Sequence, residues 1–252
     1  MADITFEVDT SQLTALQGAL LTLSGKMNRV TAVAMTRSAK AAQAELRRRT
    51  PDYIDRPTPW TLNGTFVRPA KENSLVTTVG FKDYASSGTP AAKYLQLQVS
   101  GGQARRKGFE NLLQRRGLLR AGEFAIPSGN PPLSFNRFGN ISGAQYTQVL
   151  SRLSALREAG FTGNRTGSGR SRAARRKEDY FVATINGHRA IWARVGQDRR
   201  GIRPVFHFVT APPQFSPRFP VPSIVTKAFN RAFPGELIRA VDEQIRYNRR
   251  LR

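Results

Sequence analysis

The chain of 252 residues contains no cysteine. Disulfides, thiolate nucleophiles and cysteine-based zinc or iron–sulfur sites are excluded at once. Histidine is almost as scarce, with only His188 and His207. His188 follows a hairpin-turn signal and His207 lies in a strand-like run, so they read as residues of separate elements. Neither a metal site nor a catalytic triad is expected from them. Acidic residues number 17 against 40 Lys and Arg. The nearest acidic neighbours are Asp52 with Asp55, Glu178 with Asp179 and Asp242 with Glu243. Such pairs read as solvated faces or counter-charges to arginine, because general acid–base carboxylates oppose each other across a cleft. No GxxxxGK[ST] or GxGxxG phosphate loop occurs, and GNRTGSG at 163–169 lacks both the Lys-Ser/Thr pair and a preceding strand. The chain therefore reads as a non-enzyme, with no catalytic residue, no cofactor and no metal expected. No apolar run approaches the ~18 residues of a membrane span, so no membrane contact is expected. The opening MADITFEVDT is acidic and alternating, unlike a signal peptide.

What the sequence does have is positive charge. The formal net charge is +23, and arginine outnumbers lysine 32 to 8. The excess sits in the middle and the tail: residues 101–200 carry 19 basic and 6 acidic side chains. Guanidinium forks favour phosphate and carboxylate partners. A surplus of this size calls for a polyanion or for acidic protein surfaces nearby. Two clusters stand out. Arg165, Arg170, Arg172, Arg175, Arg176 and Lys177 fall in 162–177 with three glycines and no acid, which reads as a flexible basic loop. Arg105, Arg106 and Lys107, with Arg115 and Arg116, fall on a predicted basic helix over 104–116. Both clusters can face nucleic-acid phosphate or an acidic protein partner.

Hydrophobic periodicity supplies the elements. ITFEV at 4–8 reads as a strand, and Leu13, Leu16, Leu20 and Leu23 as one face of a helix. An alanine-rich helical period continues to Leu46, with Pro51 as its stop, and 51–64 reads as loop. Residues 65–81 read as a hairpin, 91–99 as either strand or helix, and 123–127 as a short strand. A loop over 128–143 precedes a helix at 147–160. Strands are expected at 179–185, 190–195 and 204–210, the first two joined by Asn186–Gly187. Ser223 then caps a helix that Pro234 interrupts and Glu236–Arg249 resumes. Between these, RPVFHFVTAPPQFSPRFP at 203–220 reads as an extended, proline-bearing arm. Its Phe206, Phe208, Phe215 and Phe219 either pack the chain's own sheet or dock on a neighbouring subunit as an added strand. The fold class is α+β: an antiparallel sheet flanked by N- and C-terminal helices, with the long basic loop and the arm as excursions. The length suits a single domain over 1–252, with parts 1–50, 51–127, 128–178 and 179–252.

Three stretches carry a resemblance. TAVAMTRSAKAAQAELRRR (31–49), with Met35-Thr36-Arg37 at its centre, resembles the opening of minor tail protein Z and related tail-completion or neck proteins of tailed bacteriophages. The C-terminal half resembles them more strongly, through IWARVGQDRRGIRPVFHFVTAPPQFSPRFPV (191–221) followed by IVTKAFNRAFPGELIRAVDEQI (224–245). KYLQLQVSGGQARRKGFENLLQRRGLL (93–119) also resembles a segment of phage and prophage versions. The resemblance implies a virion structural role in the tail or neck, assembled in the host cytoplasm. It implies a ring of copies that contacts tail and head–tail connector proteins, with double-stranded DNA in the channel. It carries over no catalytic residue. The rival reading is a non-enzymatic nucleic-acid-binding protein acting through the basic loop 162–177.

Overall fold

A computed structural model describes residues 5–6, 26–86, 88–155, 179–195 and 201–250. The predicted leucine helix at 13–23 and the basic loop at 162–177 lie outside the described residues. The fold is α+β, with antiparallel sheets and helices at both ends of the described chain. The chain divides into two compact units, one formed by Met1–Gly101 with Ser216–Arg252 and the other by Gly102–Phe215.

The first unit is built on two long helices, α1 (Met27–Tyr53) and a C-terminal helix, Val221–Arg250. The buried face of α1 is small: Ala34, Ser38, Ala39 and Ala42 are all fully buried, between Val30, Met35 and Leu46. Small side chains let the partner helix approach closely, and it fills the space with Val225, Phe229, Phe233, Leu237 and Val241. A short helix, α2 (Pro59–Leu62), interrupts the predicted loop, because Thr58 caps it by accepting from the Thr61 N–H and Pro59 presets its first turn. The hairpin β2 (Thr65–Arg68) and β3 (Thr77–Phe81) follows, with β1 (Thr5–Phe6) on the far side of β3. Every residue of β3 is buried, as expected for the middle strand of three. The ambiguous stretch resolves as helix α3 (Ala91–Ser100), anchored by Ala91 and Leu95 and ended by Gly101 at φ +71°. Phe219 enters the same core, stacked on Tyr53 with ring centroids 5.3 Å apart.

Three boundaries differ from the sequence expectation, each for a local reason. Pro51 does not stop α1, which runs to Tyr53. In the last turn a proline forfeits only a bond that is about to end, and the Thr50 hydroxyl donates to the Leu46 carbonyl at 2.8 Å. Pro234 does not interrupt the C-terminal helix. The carbonyl it deprives belongs to Asn230, an exposed residue like Pro234 itself, while buried Phe233 and Leu237 hold the register on either side. Ser223 is not the cap, because the helix already starts at Val221 and Pro222 suits its first turn.

The second unit is a four-stranded antiparallel sheet covered by two helices. In chain order its elements are β4 (Gly102–Gln103), α4 (Gly108–Arg115), β5 (Phe124–Pro127), α5 (Gly143–Arg152), β6 (Asp179–Ile185), β7 (His188–Val195), β8 (Gly201–Val209) and β9 (Gln214–Phe215). The sheet order is β5-β8-β7-β6, and β4 pairs with β9. The turn between β6 and β7 has Asn186 at φ +52° and Gly187 at φ +78°, the left-handed pair that a two-residue hairpin requires. The C-terminal long helix of the first unit is α6 in this order. Helix α5 starts earlier than its hydrophobic pattern suggests, because the Ser142 side chain accepts from the Gln145 N–H.

The proline-bearing stretch at 203–220 is largely used inside the chain. β8 is an inner strand, and a bulge between Ile191 and Trp192 takes up Pro204, which has no N–H to give the ladder. Phe206 is fully buried in the second core, where it meets Phe109 and Tyr146 at centroid distances of 4.9 and 5.7 Å. Phe208 packs on the same core, Phe215 pairs through β9, and Phe219 is buried in the first unit. Docking of Phe206 or Phe219 on a neighbour is thus overturned, since each already fills its own core.

Two substitutions test these cores. Phe206→Ala should lower stability by about 3–5 kcal/mol through lost burial and the cavity left behind, measured by urea denaturation. Gly64→Ala should cost roughly 1–3 kcal/mol by overpacking, because a Cβ there would overlap the Ala91 methyl.

Candidate functional site

The basic cluster at 105–116 is not one helical face. Arg105, Arg106 and Lys107 precede α4, whereas Arg115 and Arg116 lie at its other end, roughly 12 Å away along an eight-residue helix. Arg115 and Arg116 suit the negative end of the helix dipole. The cations at the N-terminal end are held differently. Arg106 donates to the Gln114 side-chain Oε1 and lies 5.5 Å from the centroid of the Phe124 ring. Lys107 is exposed, but its backbone N–H is accepted by Glu110 at 2.6 Å. Arg105 is exposed. Arg165, Arg170, Arg172, Arg175, Arg176 and Lys177 lie outside the described residues.

The carboxylates are committed to the chain itself. Glu110 is 4% exposed and Glu123 6%, and two buried carboxylates in one unit could suggest acid–base chemistry. Their partners tie them into the fold. Glu110 also accepts from the Ala125 N–H at 2.9 Å, tying α4 to β5. Glu123 accepts from the Arg120 N–H at 2.7 Å and from Arg189, whose other nitrogen donates to the Leu118 carbonyl at 2.7 Å. The Arg189 guanidinium also sits 4.9 Å from the Phe208 ring centroid. Both acids are structural clamps in this arrangement. Tyr146 packs against Phe109 and Phe206, and burial, with Glu110 nearby, raises its phenol above the ordinary value.

At the surface the pattern repeats. Asp52 pairs with Arg49 at 2.8 Å and Asp55 with Arg56 at 2.9 Å, so these sequence neighbours are counter-charges and not a pair of facing acids. Glu45 pairs with Arg48, and Glu236 with Arg239, each one helical turn apart. Arg37 and Glu243 form a two-pronged bridge at 2.9 and 2.8 Å that joins α1 to α6. The hydrogen bonds from Arg37 hold the Glu243 carboxyl below the usual range.

The register of β7 and β8 brings together what the sequence kept apart. Ala190 lies opposite His207, which puts His188 diagonal to it on the same face, with ring centroids 6.5 Å apart. Only strand pairing could reveal this, since the two positions are 19 residues apart. Among the described residues no group of three or more His, Cys, Asp or Glu is placed to hold a metal ion. Nor is any described helix long and apolar enough to cross a membrane.

Glu110→Ala should destabilise the second unit by about 1–3 kcal/mol, because the buried Ala125 N–H and the partly buried Lys107 N–H lose their acceptor. Glu110→Gln should cost less, and thermal melts compare the two. The Arg37–Glu243 bridge gives a pH dependence with a definite sign. The folded carboxyl titrates below the unfolded one, so its contribution is present above the ordinary glutamate pKa of about 4.3 and is lost as pH falls below it. The acid limb of stability between roughly pH 5 and 3 should therefore be shallower in Glu243→Gln than in the wild type.

No protein-family model matches this chain, and neither does any curated protein or solved structure.

Proposed function

We propose that this protein is a structural component of a tailed-phage virion, a tail-completion or neck protein. It would form a ring at the end of the tail or at the head–tail junction, around the DNA channel. The observation that supports this best is where the charge goes. Seven described carboxylates form ion pairs within the chain, those of Glu45, Asp52, Asp55, Glu72, Glu123, Glu236 and Glu243. Glu110 is taken by backbone N–H groups. A net charge of +23 is then left for partners outside the chain. A protein that joins other proteins around DNA has both kinds of polyanion at hand.

The resemblance adds a second support. The segments 31–49 and 224–245, which carry much of the likeness, lie on α1 and α6 and pack on each other. Two of the stretches that carry the resemblance therefore form one substructure, while 93–119 and 191–221 fall largely in the second unit. No step of this role needs a catalytic group. Its work is mutual burial between copies and neutralisation of charge at joints.

The test is the mass of the purified protein by light scattering across a salt series, with and without DNA. A discrete oligomer that forms without DNA and persists in high salt is expected. A monomer that gains mass only with DNA, and reverts with salt, would replace this reading with nucleic-acid binding. In that case deletion of 162–177 should abolish the DNA-induced shift.

A further inference from the structure

An open groove of about 400 Å³ lies on the first unit, where α1 passes the tip of the β2–β3 hairpin. Arg29, Arg37 and Lys40 contribute from the helix and Lys71 from the hairpin, against one lining carboxylate, Glu72. The floor is small and apolar: Ala32, Val33 and Ala70. The helical residues recur at spacings of three and four, so they form one stripe from Arg29 to Lys40, roughly 16 Å long.

The groove is preformed. The Thr36 hydroxyl donates to the Ala32 carbonyl at 2.7 Å and accepts from the Ala70 N–H at 3.1 Å, which ties the hairpin to the helix. Arg37 is fixed by Glu243. Arg29 is held loosely by Glu72 at 3.7 Å, with both side chains more than half exposed. The ammonium groups of Lys40 and Lys71 have no hydrogen-bond or ion-pair partner among the described residues. They stand on opposite sides of the groove, on helix and hairpin.

We propose that this groove receives an extended acidic peptide segment of a partner protein, with carboxylates at Lys40 and Lys71 and a small apolar side chain on the floor. The charge is complementary, and about five residues of extended peptide match the length of the stripe at ~3.3 Å each. A nucleic-acid backbone fits less well. A duplex is too wide to enter the groove and would leave Ala32, Val33 and Ala70 uncovered. It also brings no donor for Glu72, whereas a peptide brings its N–H groups. The inference deepens the joining role by giving one contact its chemistry, and it rests on that role only for the origin of the partner.

The test uses the full chain and a fluorescein-labelled ten-residue peptide that alternates glutamate with valine or alanine, read by fluorescence anisotropy. Lys40→Glu with Lys71→Glu should weaken binding at least tenfold. Lys227→Glu with Arg231→Glu makes the same charge change on exposed positions of α6 and should weaken it less than threefold. Both lysines of the first variant are exposed, so circular dichroism should show unchanged helix content; Lys40→Ala with Lys71→Ala provides a milder second variant. An unlabelled 20-base-pair duplex should leave the grooved site occupied. The proposal is overturned if wild type shows no anisotropy change, or if both charge-reversed variants weaken binding equally. It is also overturned if the duplex displaces the probe and itself loses affinity through Lys40→Glu with Lys71→Glu. Light scattering on the same variants keeps the outcomes apart, since a lost groove with an intact oligomer leaves the ring reading standing.

Discussion

The packing of α1 on α6 is the contact on which the first unit depends. An alanine face receives a row of valine, leucine and phenylalanine, and Val79, Phe81, Leu95 and Phe219 join the same core. The two helices come from opposite ends of the described chain, with all of the second unit threaded between them. Closing so long a loop costs conformational entropy that grows only with the logarithm of its length. The chain lowers that cost further by pairing the ends of the insertion. β4 and β9 set Gly102 opposite Phe215, so the chain leaves and returns at one place. On the near side of the same crossings, the Gln98 carbonyl accepts from the N–H groups of Arg218 and Phe219 at 2.9 Å. An insertion whose ends are held together burdens its host little more than a short loop.

That arrangement also explains how the chain spends its few acids. Most ion pairs are local, within a turn of helix or between neighbours, and such exposed pairs add little to stability. Three are not local. Arg29–Glu72 joins α1 to the β2–β3 hairpin, Arg37–Glu243 crosses the α1–α6 seam, and Arg189–Glu123 binds β7 to the loop before β5. Acids therefore appear at the joints where helix meets helix or where loop meets sheet. The large cationic surplus that remains is a source of mutual repulsion that folding has to tolerate.

Much of this was legible in the sequence wherever one residue type has one physical use. Asn186–Gly187 announced its turn because few other residues accept two left-handed positions in succession. The alanine run of α1 is small enough to admit a close neighbour, and α6 is that neighbour. The prolines misled, because a proline costs a helix one hydrogen bond and a clash with the preceding turn, and packing on either side can outweigh that cost. Pro234 faces water and Pro51 sits in a last turn, so neither breaks its helix. Phe206 and Phe219 looked available to a neighbour because a proline-rich string gives no account of which face a side chain takes. The bulge at Ile191 and Trp192 decides that face, and it depends on pairing with a distant strand. The site was less legible than the fold. Lys40 and Lys71 are separated by a helix end and a strand, and nothing in their spacing says that Thr36 draws the hairpin onto the helix.

Assembly of such a chain has an electrostatic signature opposite to that of nucleic-acid binding. Copies that each carry +23 repel one another, and added salt screens that repulsion over about 8 Å at physiological strength. Contacts between like copies should thus hold or strengthen as salt rises, if apolar burial drives them. Binding to a polyanion behaves in the opposite way, because each neutralised phosphate releases counterions and affinity falls steeply with salt. The groove beside Lys40 and Lys71 stands between these limits. Its ammonium groups would lose strength with salt, while the small apolar floor would not. In the proposed ring, acidic segments at the joints would matter most at low ionic strength, when repulsion is strongest, and apolar contacts once salt has screened the charge.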